Sequence, residues 1–238
     1  MFKNSVAAIC AASALSTAAF AGDREVVIEW NALMEATVPN SAGVTPPRGY
    51  AMMHIAMFDA VNSIEEGYTG YFVRFPAPAN ASSDVAAAQA ARDIVVALFP
   101  AATANADALQ AMRTQGVDPI AAQAGAQIGK KVANKILLWR ANDGWAIPQT
   151  YTPAPVPDVW RPTLPAFAPA GFVQAVDAQP LGLPRPYYFV PRRPSELDSQ
   201  EYADGVNEIP LIGGVTSTVR TAAQTQLART WASVGYRT

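Results

Sequence analysis

The sequence predicts an all-α protein. Apolar residues recur at three- and four-residue intervals in several segments, alanine-rich stretches supply the highest intrinsic helix propensity, and no run alternates apolar and polar residues for long enough to make a strand. No repeat of roughly 20 to 50 residues is present either, which removes solenoids.

The first element stands outside the fold. Lys3 precedes an apolar run from Val6 to Phe20, and Ala19-Phe20-Ala21 places small residues around a cleavage point before Gly22. Residues 1–21 therefore read as a secretory signal peptide, and the expected location is the periplasm or the extracellular space. A lipoprotein reading of Cys10 is disfavoured, because Ile9 stands where a small residue is wanted and the apolar run before the cysteine is short. Cys10 is the only cysteine and leaves with the signal, so the mature chain of about 215 residues can form no disulfide and must be held by packing. No later stretch approaches the roughly 20 uninterrupted apolar residues of a membrane helix, so no membrane is expected as a partner after cleavage. Removing Lys3 takes 17 basic side chains to 16 against 19 acidic ones, a net charge of −3 with no basic block, and nucleic acid is not an expected partner.

Residues 22–144 read as an N-terminal helical region. From Asp23, a candidate N-cap, Val26, Trp30, Leu33 and Met34 follow the helical period until Pro39-Asn40. A second helix should follow Pro46-Pro47, with Tyr50, Met53, Met57, Val61 and Ile64 on one face and Met52, Ile55 and Phe58 on others. Apolar on most sides, it reads as central and buried. Ser83-Asp84 opens a third helix through Ala86, Ala87, Ala88, Ala90 and Ala91 to Phe99. Pro100 interrupts it, and a shorter helix is expected from Thr103 to Gln115, closed by Gly116. Asp118-Pro119 then supplies a cap and first turn, Ile120, Ala124, Ile128, Val132 and Ile136 stack at four-residue spacing, and Asn142-Asp143-Gly144 provides the stop.

Residues 145–197 change character. Twelve prolines between 148 and 194 forbid regular helix and disfavour central strands, so an extended loop is expected. Trp145, Tyr151, Trp160, Phe167, Phe172, Tyr187, Tyr188 and Phe189 are interleaved with them, which predicts that the loop packs on a surface. Helix should resume in residues 198–238, near Ser199, break at Pro210 and Gly213-Gly214, and restart at Thr216 or Ser217 with Val219, Ala223, Leu227 and Trp231 on one stripe.

The order of these features resembles a known family. Trp30-Asn31, the run Met53-His54-Ile55-Ala56-Met57-Phe58-Asp59-Ala60-Val61-Asn62, Leu98-Phe99-Pro100, Arg140-Ala141-Asn142-Asp143-Gly144, Trp160-Arg161-Pro162-Thr163 and Ser217-Thr218-Val219-Arg220-Thr221-Ala222-Ala223-Gln224-Thr225 are similar to the N-terminal half of secreted bacterial vanadium-dependent haloperoxidase-like proteins, in the type 2 phosphatidic acid phosphatase superfamily. The resemblance implies a helical bundle of the haloperoxidase and acid phosphatase type. For a complete member it also implies vanadate as cofactor, with halide oxidation by peroxide or phosphate-ester hydrolysis as the activity. Relatives of this kind commonly carry a basic residue where Asn207-Glu208-Ile209 is followed by Pro210.

The family's anion site uses three motifs, K-x6-R-P, P-S-G-H and S-R-x5-H-x3-D, and none occurs here. Such a site must neutralise an oxyanion with lysine and arginine, cradle it with backbone amides and engage it through histidine. Arg161, Arg185 and Arg193 each precede proline, but seven places earlier stand Ala154, Ala178 and Pro186 instead of lysine. Pro194-Ser195 is followed by Glu196, and after signal removal the lysines are Lys130, Lys131 and Lys135. No catalytic, cofactor-binding or metal-binding residue is therefore assigned. Ending at Thr238, just past the last helix, the chain reads as a haloperoxidase-like domain cut short, inactive as it stands. The expected partner is a missing C-terminal catalytic half or a second copy, and the alternative is a stand-alone exported helical scaffold or binding module.

His54, the lone histidine, sits among Met53, Ile55 and Met57, where a hydrogen-bonded core role is expected in preference to catalysis. Asp59 lies five positions on, about 140° around the helix, so the two do not form a dyad. Ala51 occupies the place three residues before His54 where a helical carboxylate-bridged metal centre would need glutamate. Gly125-x-x-x-Gly129 precedes Lys130 and Lys131 on an amphipathic helix, which favours close packing in a water-soluble bundle over a membrane dimer. Arg161, Arg185, Arg192 and Arg193 could collect a phosphate-like anion, but solvation of the loop and pairing with Asp158, Asp177 or Glu196 is the favoured reading.

Overall fold

The structure is a computed structural model and describes residues 25–38, 45–157, 159–164 and 166–234. The expected signal peptide over residues 1–21, the expected Asp23 cap and Pro39-Asn40 stop, and Asp158 lie outside the described residues. Within them run α1 (25–37), α2 (Thr45–Glu65), α3 (Ser83–Leu98), α4 (Thr103–Thr114), α5 (Pro119–Arg140), α6 (Gln200–Glu208) and α7 (Ala222–Val234). No strand occurs among the described residues, so the all-α expectation holds. The chain divides into two compact units, Met1–Asn142 and Asp143–Thr238.

In the first unit α3 contacts α2, α4 and α5, and α2 also touches α5. Alanine makes this possible: Ala86, Ala87, Ala88, Ala90 and Ala91 are all buried, and their small side chains admit a neighbouring backbone on several sides of one helix. The approach to α5 is closest at its two glycines. A Cβ on Gly125 would stand 2.3 Å from the Ser82 carbonyl oxygen, and one on Gly129 would stand 2.3 Å from that of Ala86. The Gly-x-x-x-Gly spacing thus serves helix packing inside the unit, as expected. Met52, Met53, Ala56, Met57 and Ala60 bury α2 along most of its length, each methionine contributing roughly 2 kcal/mol of transfer free energy. Phe58 departs from the expected burial at 40% exposed, with its ring 6.3 Å from that of Tyr68.

Local signals set the ends. Ser82, one residue before the expected cap, accepts from the Val85 N–H at 3.3 Å. Pro46 and Pro47 fall inside α2 because a first-turn N–H has no intrahelical partner to lose. Pro100 sends Pro100–Ala102 into a 3-10 turn before α4, which ends at Thr114 with Gly116 at φ +79°, a conformation that favours glycine. The Asp118 side chain accepts from the N–H groups of Ile120 at 3.1 Å and Ala121 at 3.0 Å.

One stripe differs from its prediction. The buried side of α5 is Ala122, Gly125, Ile128, Gly129, Val132, Ala133, Ile136 and Arg140, whereas Ile120 is 68% exposed and Ala124 is only partly buried. Repeated four-residue steps advance about 40° each beyond a full turn, so a run of five drifts off any fixed face. Real contact alternates threes and fours.

The second unit is more open, and Asp143 is its one buried residue among those described. Its loop contains two short 3-10 turns, Val173–Val176 and Pro186–Phe189. The expectation that the loop aromatics pack away is corrected: Trp160, Phe167, Tyr187, Tyr188 and Phe189 are all exposed. They pair locally instead, Trp145 with Phe172 at 6.3 Å and Tyr151 with Trp160 at 6.0 Å between ring centroids. Prolines deny the segment a regular period, so its aromatics never line up as one apolar face.

Ser199 caps α6 by accepting from the Tyr202 N–H at 3.1 Å, and the helix gives way to a π turn at Ile209–Gly213 around Pro210. α7 begins at Ala222, not at Thr216 or Ser217. The Thr221 hydroxyl accepts from the Gln224 N–H at 3.2 Å, and Gln224 Oε1 accepts from the Thr221 N–H at 2.9 Å. This reciprocal capping box fixes the start. Ser217 closes its own turn by accepting from the Arg220 N–H, and the expected stripe of Val219, Leu227 and Trp231 is exposed.

Candidate functional site

His54 is half-buried on α2, and its Nε2 lies 2.9 Å from Asn31 Oδ1 on α1. Because that oxygen can only accept, Nε2 carries the proton. Burial holds the imidazole below its ordinary pKa by penalising the charged form. The histidine is thus hydrogen-bonded as expected, with one nitrogen engaged in joining two helices, but it sits at the margin of the core and not inside it.

Asp59, fully buried on the same helix, collects three backbone donors. Its Oδ1 accepts from Tyr71 N–H at 2.6 Å, and its Oδ2 accepts from Phe72 and Val73 N–H, each at 2.9 Å. Asn62 holds Tyr68 at both its N–H and its carbonyl, and Ser63 Oγ accepts from the Phe75 N–H at 3.1 Å. The sequence reading compared Asp59 with His54 and missed this task, which is to fasten the loop after α2. The available signal was the Asp-x-x-Asn-Ser spacing on a buried helix, followed by a stretch with no regular period. The loop's Phe72 then stacks on Trp139 of α5 at 4.0 Å and 12°, and the Arg140 guanidinium lies 4.9 Å from the same Trp139 ring.

Within each unit the described cations do not gather at one place. Lys130, Lys131 and Lys135 occupy the exposed side of α5. Arg48 donates to the Arg140 carbonyl at 3.1 Å, and Arg113 joins α4 to α1 through Glu29 at 2.7 Å. In the second unit Arg192 pairs with Glu201, a partner outside the expected set, and Arg185 donates to the Tyr187 hydroxyl. Asp177 accepts from Gln149 instead of an arginine. Arg220 is a structural clamp, donating to the carbonyls of Ile212 at 2.7 Å and Gly214 at 3.2 Å and to Thr225 Oγ1 at 3.1 Å.

The described residues line two grooves. One of about 500 Å³ lies among α3, α4 and α5, walled by Val85, Val117 and Ala122 with Gln89 and Gln110 as polar members. The other, of about 540 Å³, lies beside α6 and α7, with Asp204 and Glu208 at its edge and Leu211 and Val219 in its wall. Neither is lined by histidine, lysine or arginine. Vanadate needs several cations and an available histidine nitrogen at one place, and the described residues do not fit it. No group of three or more His, Cys, Asp or Glu able to hold a metal ion occurs among them.

No family model matches the chain, and no curated protein matches it. Among solved structures, that of a bacterial vanadium-dependent iodoperoxidase, described as the first, superposes with a TM-score of 0.68 at 18% sequence identity, covering 90% of this chain. The fold is haloperoxidase-like. This chain spans 56% of that protein's length, a little over half, and the match rests on the path of the helices, since so few residues are shared.

Proposed function

We propose that these residues are the N-terminal, non-catalytic helical part of an exported vanadium-dependent haloperoxidase or acid phosphatase-type protein, and that the chain as given turns over neither halide nor phosphate ester. The observation that carries this reading is a pairing of fold and chemistry. The helices follow those of a vanadium iodoperoxidase, while the one histidine is committed to Asn31 and the lysines sit apart on α5. The residues present build a scaffold; vanadate or phosphate would be held by side chains supplied elsewhere.

The test is an assay of the purified chain for iodide and bromide oxidation with vanadate and peroxide, alongside vanadate binding by ⁵¹V NMR. Background rates and an unshifted vanadate signal are expected, and turnover above background would overturn the account of where the site lies. Reading the DNA beyond codon 238 supplies a second test. Downstream frames that encode no lysine, arginine and histidine motifs of the three kinds would remove the enzyme-part reading.

The burial of the first unit favours a second reading, an exported helical scaffold or binding module without catalysis. Trp30, Met34, Met53, Ile94, Val95 and Ile136, on α1, α2, α3 and α5 of that unit, are fully buried.

A further inference from the structure

Between Asp177 and Glu196 the chain carries three arginines, Arg185, Arg192 and Arg193, and no carboxylate, although the whole chain is net negative. In the same stretch Tyr187, Tyr188, Phe189 and Val190 are 58%, 61%, 75% and 67% exposed. Scattered surface hydrophobics are ordinary, but four in succession make a contiguous apolar tip. That tip is stiff. Pro184, Pro186, Pro191 and Pro194 restrict its backbone, and Pro186–Phe189 turns as a 3-10 helix, so ordering it against a partner costs little further entropy. Tyr187 and Tyr188 lie parallel, 6.2 Å apart at 8°, with the Arg185 guanidinium 5.7 Å from the Tyr187 ring. Arg192 pairs with Glu201, but both side chains are well exposed, so water and salt exchange that contact readily.

We propose that residues 185–193 form a peripheral docking tip for an anionic phospholipid bilayer. Phe189 and Val190 enter the acyl boundary, the tyrosines lie at headgroup level with their hydroxyls wet, and the arginines meet lipid phosphates. Each layer of a membrane interface has its matching side-chain chemistry within nine residues of chain. A soluble polyanion would use the arginines but gain nothing from an exposed Phe-Val pair, which is why lipid is the better fit. No helix among the described residues is long and apolar enough to cross a membrane, so the contact is a surface one. This goes past the expectation of no membrane partner, which rested on spanning length alone, and it stands independently of the scaffold reading.

The experiment sediments the full chain, purified from an export host, with vesicles of phosphatidylcholine alone or with about one third phosphatidylglycerol. Binding to the anionic vesicles only is expected, released when salt rises from about 0.05 to 0.5 M. The Arg185→Gln/Arg192→Gln/Arg193→Gln and Tyr188→Ser/Phe189→Ser variants should each lose at least about tenfold in bound fraction with an unchanged circular dichroism spectrum. Absence of binding, or equal binding to neutral vesicles, overturns the proposal. Indifference to the Tyr188→Ser/Phe189→Ser change would overturn it too and mark a polyanion site. A dimer that the tip variants dissociate in sedimentation velocity would show that a second copy covers the tip, and lipid would be excluded.

Discussion

Asp59 and His54 share a helix and have opposite relations to charge. Asp59 is fully buried, and its carboxylate is made tolerable by the three N–H groups of Tyr71, Phe72 and Val73, which replace the water it has lost. His54 has a single partner, and Nε2 donates to Asn31 whether the ring is neutral or charged, so the bond does not oppose protonation; burial does. Because the folded pKa is lowered below 6.5, the unfolded chain takes up the proton first. The stability linked to His54 is therefore complete above about pH 6.5, falls as pH drops through that value, and levels off below the folded pKa. Urea midpoints at pH 7.5 and 5.5 should show a decline that shrinks in the His54→Gln variant. An identical decline in both proteins would mean the imidazole is not its source.

Among the elements, α3 and α5 depend on the absence of side chains. At Gly129 an added Cβ would meet the Ala86 carbonyl oxygen at 2.3 Å and the Ala90 nitrogen at 2.9 Å. Backbone atoms cannot rotate away, so the helices must separate and lose contact along the alanine face. Gly129→Ala should cost about 2 kcal/mol or more, read as a lowered urea midpoint at constant slope. Gly205 in α6 has open space around it, and Gly205→Ala should be neutral or stabilise by up to about 1 kcal/mol through helix propensity. If Gly129→Ala is no worse than Gly205→Ala, the close approach is not what holds this pair. Element boundaries were legible wherever a side chain next to the turn decides them, as at Asp118-Pro119, Gly116 and Ser199. At the start of α7 two such signals compete, and the Thr221–Gln224 box prevails because it satisfies an N–H on each partner.

For the whole molecule, the two units differ in what they bury. The first closes around Trp30, Met53 and Ile136, while the second keeps Trp231, Leu227 and its loop aromatics in water. Residues 22–142 alone should therefore unfold in one cooperative thermal transition. Limited trypsin digestion of the full chain should cut first after Arg192, the other loop arginines, Arg161, Arg185 and Arg193, being shielded by the proline that follows each, and leave a resistant fragment containing α1 through α5. A melt without a transition, or digestion that destroys α1–α5 as fast as the loop, would show that the first unit has no stability of its own.

The sequence by itself determined the helical class, the positions of most helix starts and stops, the proline-rich loop and the absence of the three anion-binding motifs. Each depends on residue type or on neighbours within a few positions. It also marked His54 as a hydrogen-bonded residue, since a lone imidazole among methionines must find a partner. Only the tertiary structure decided that the partner is Asn31, that Asp59 fastens a loop twelve to fourteen residues away, and that α5 turns Gly125 and Gly129, not Ile120, toward α3. The same holds for the loop aromatics, which a local reading buries and the structure leaves exposed. Those outcomes are contacts between distant segments, and which face of a helix or loop is covered depends on what packs against it.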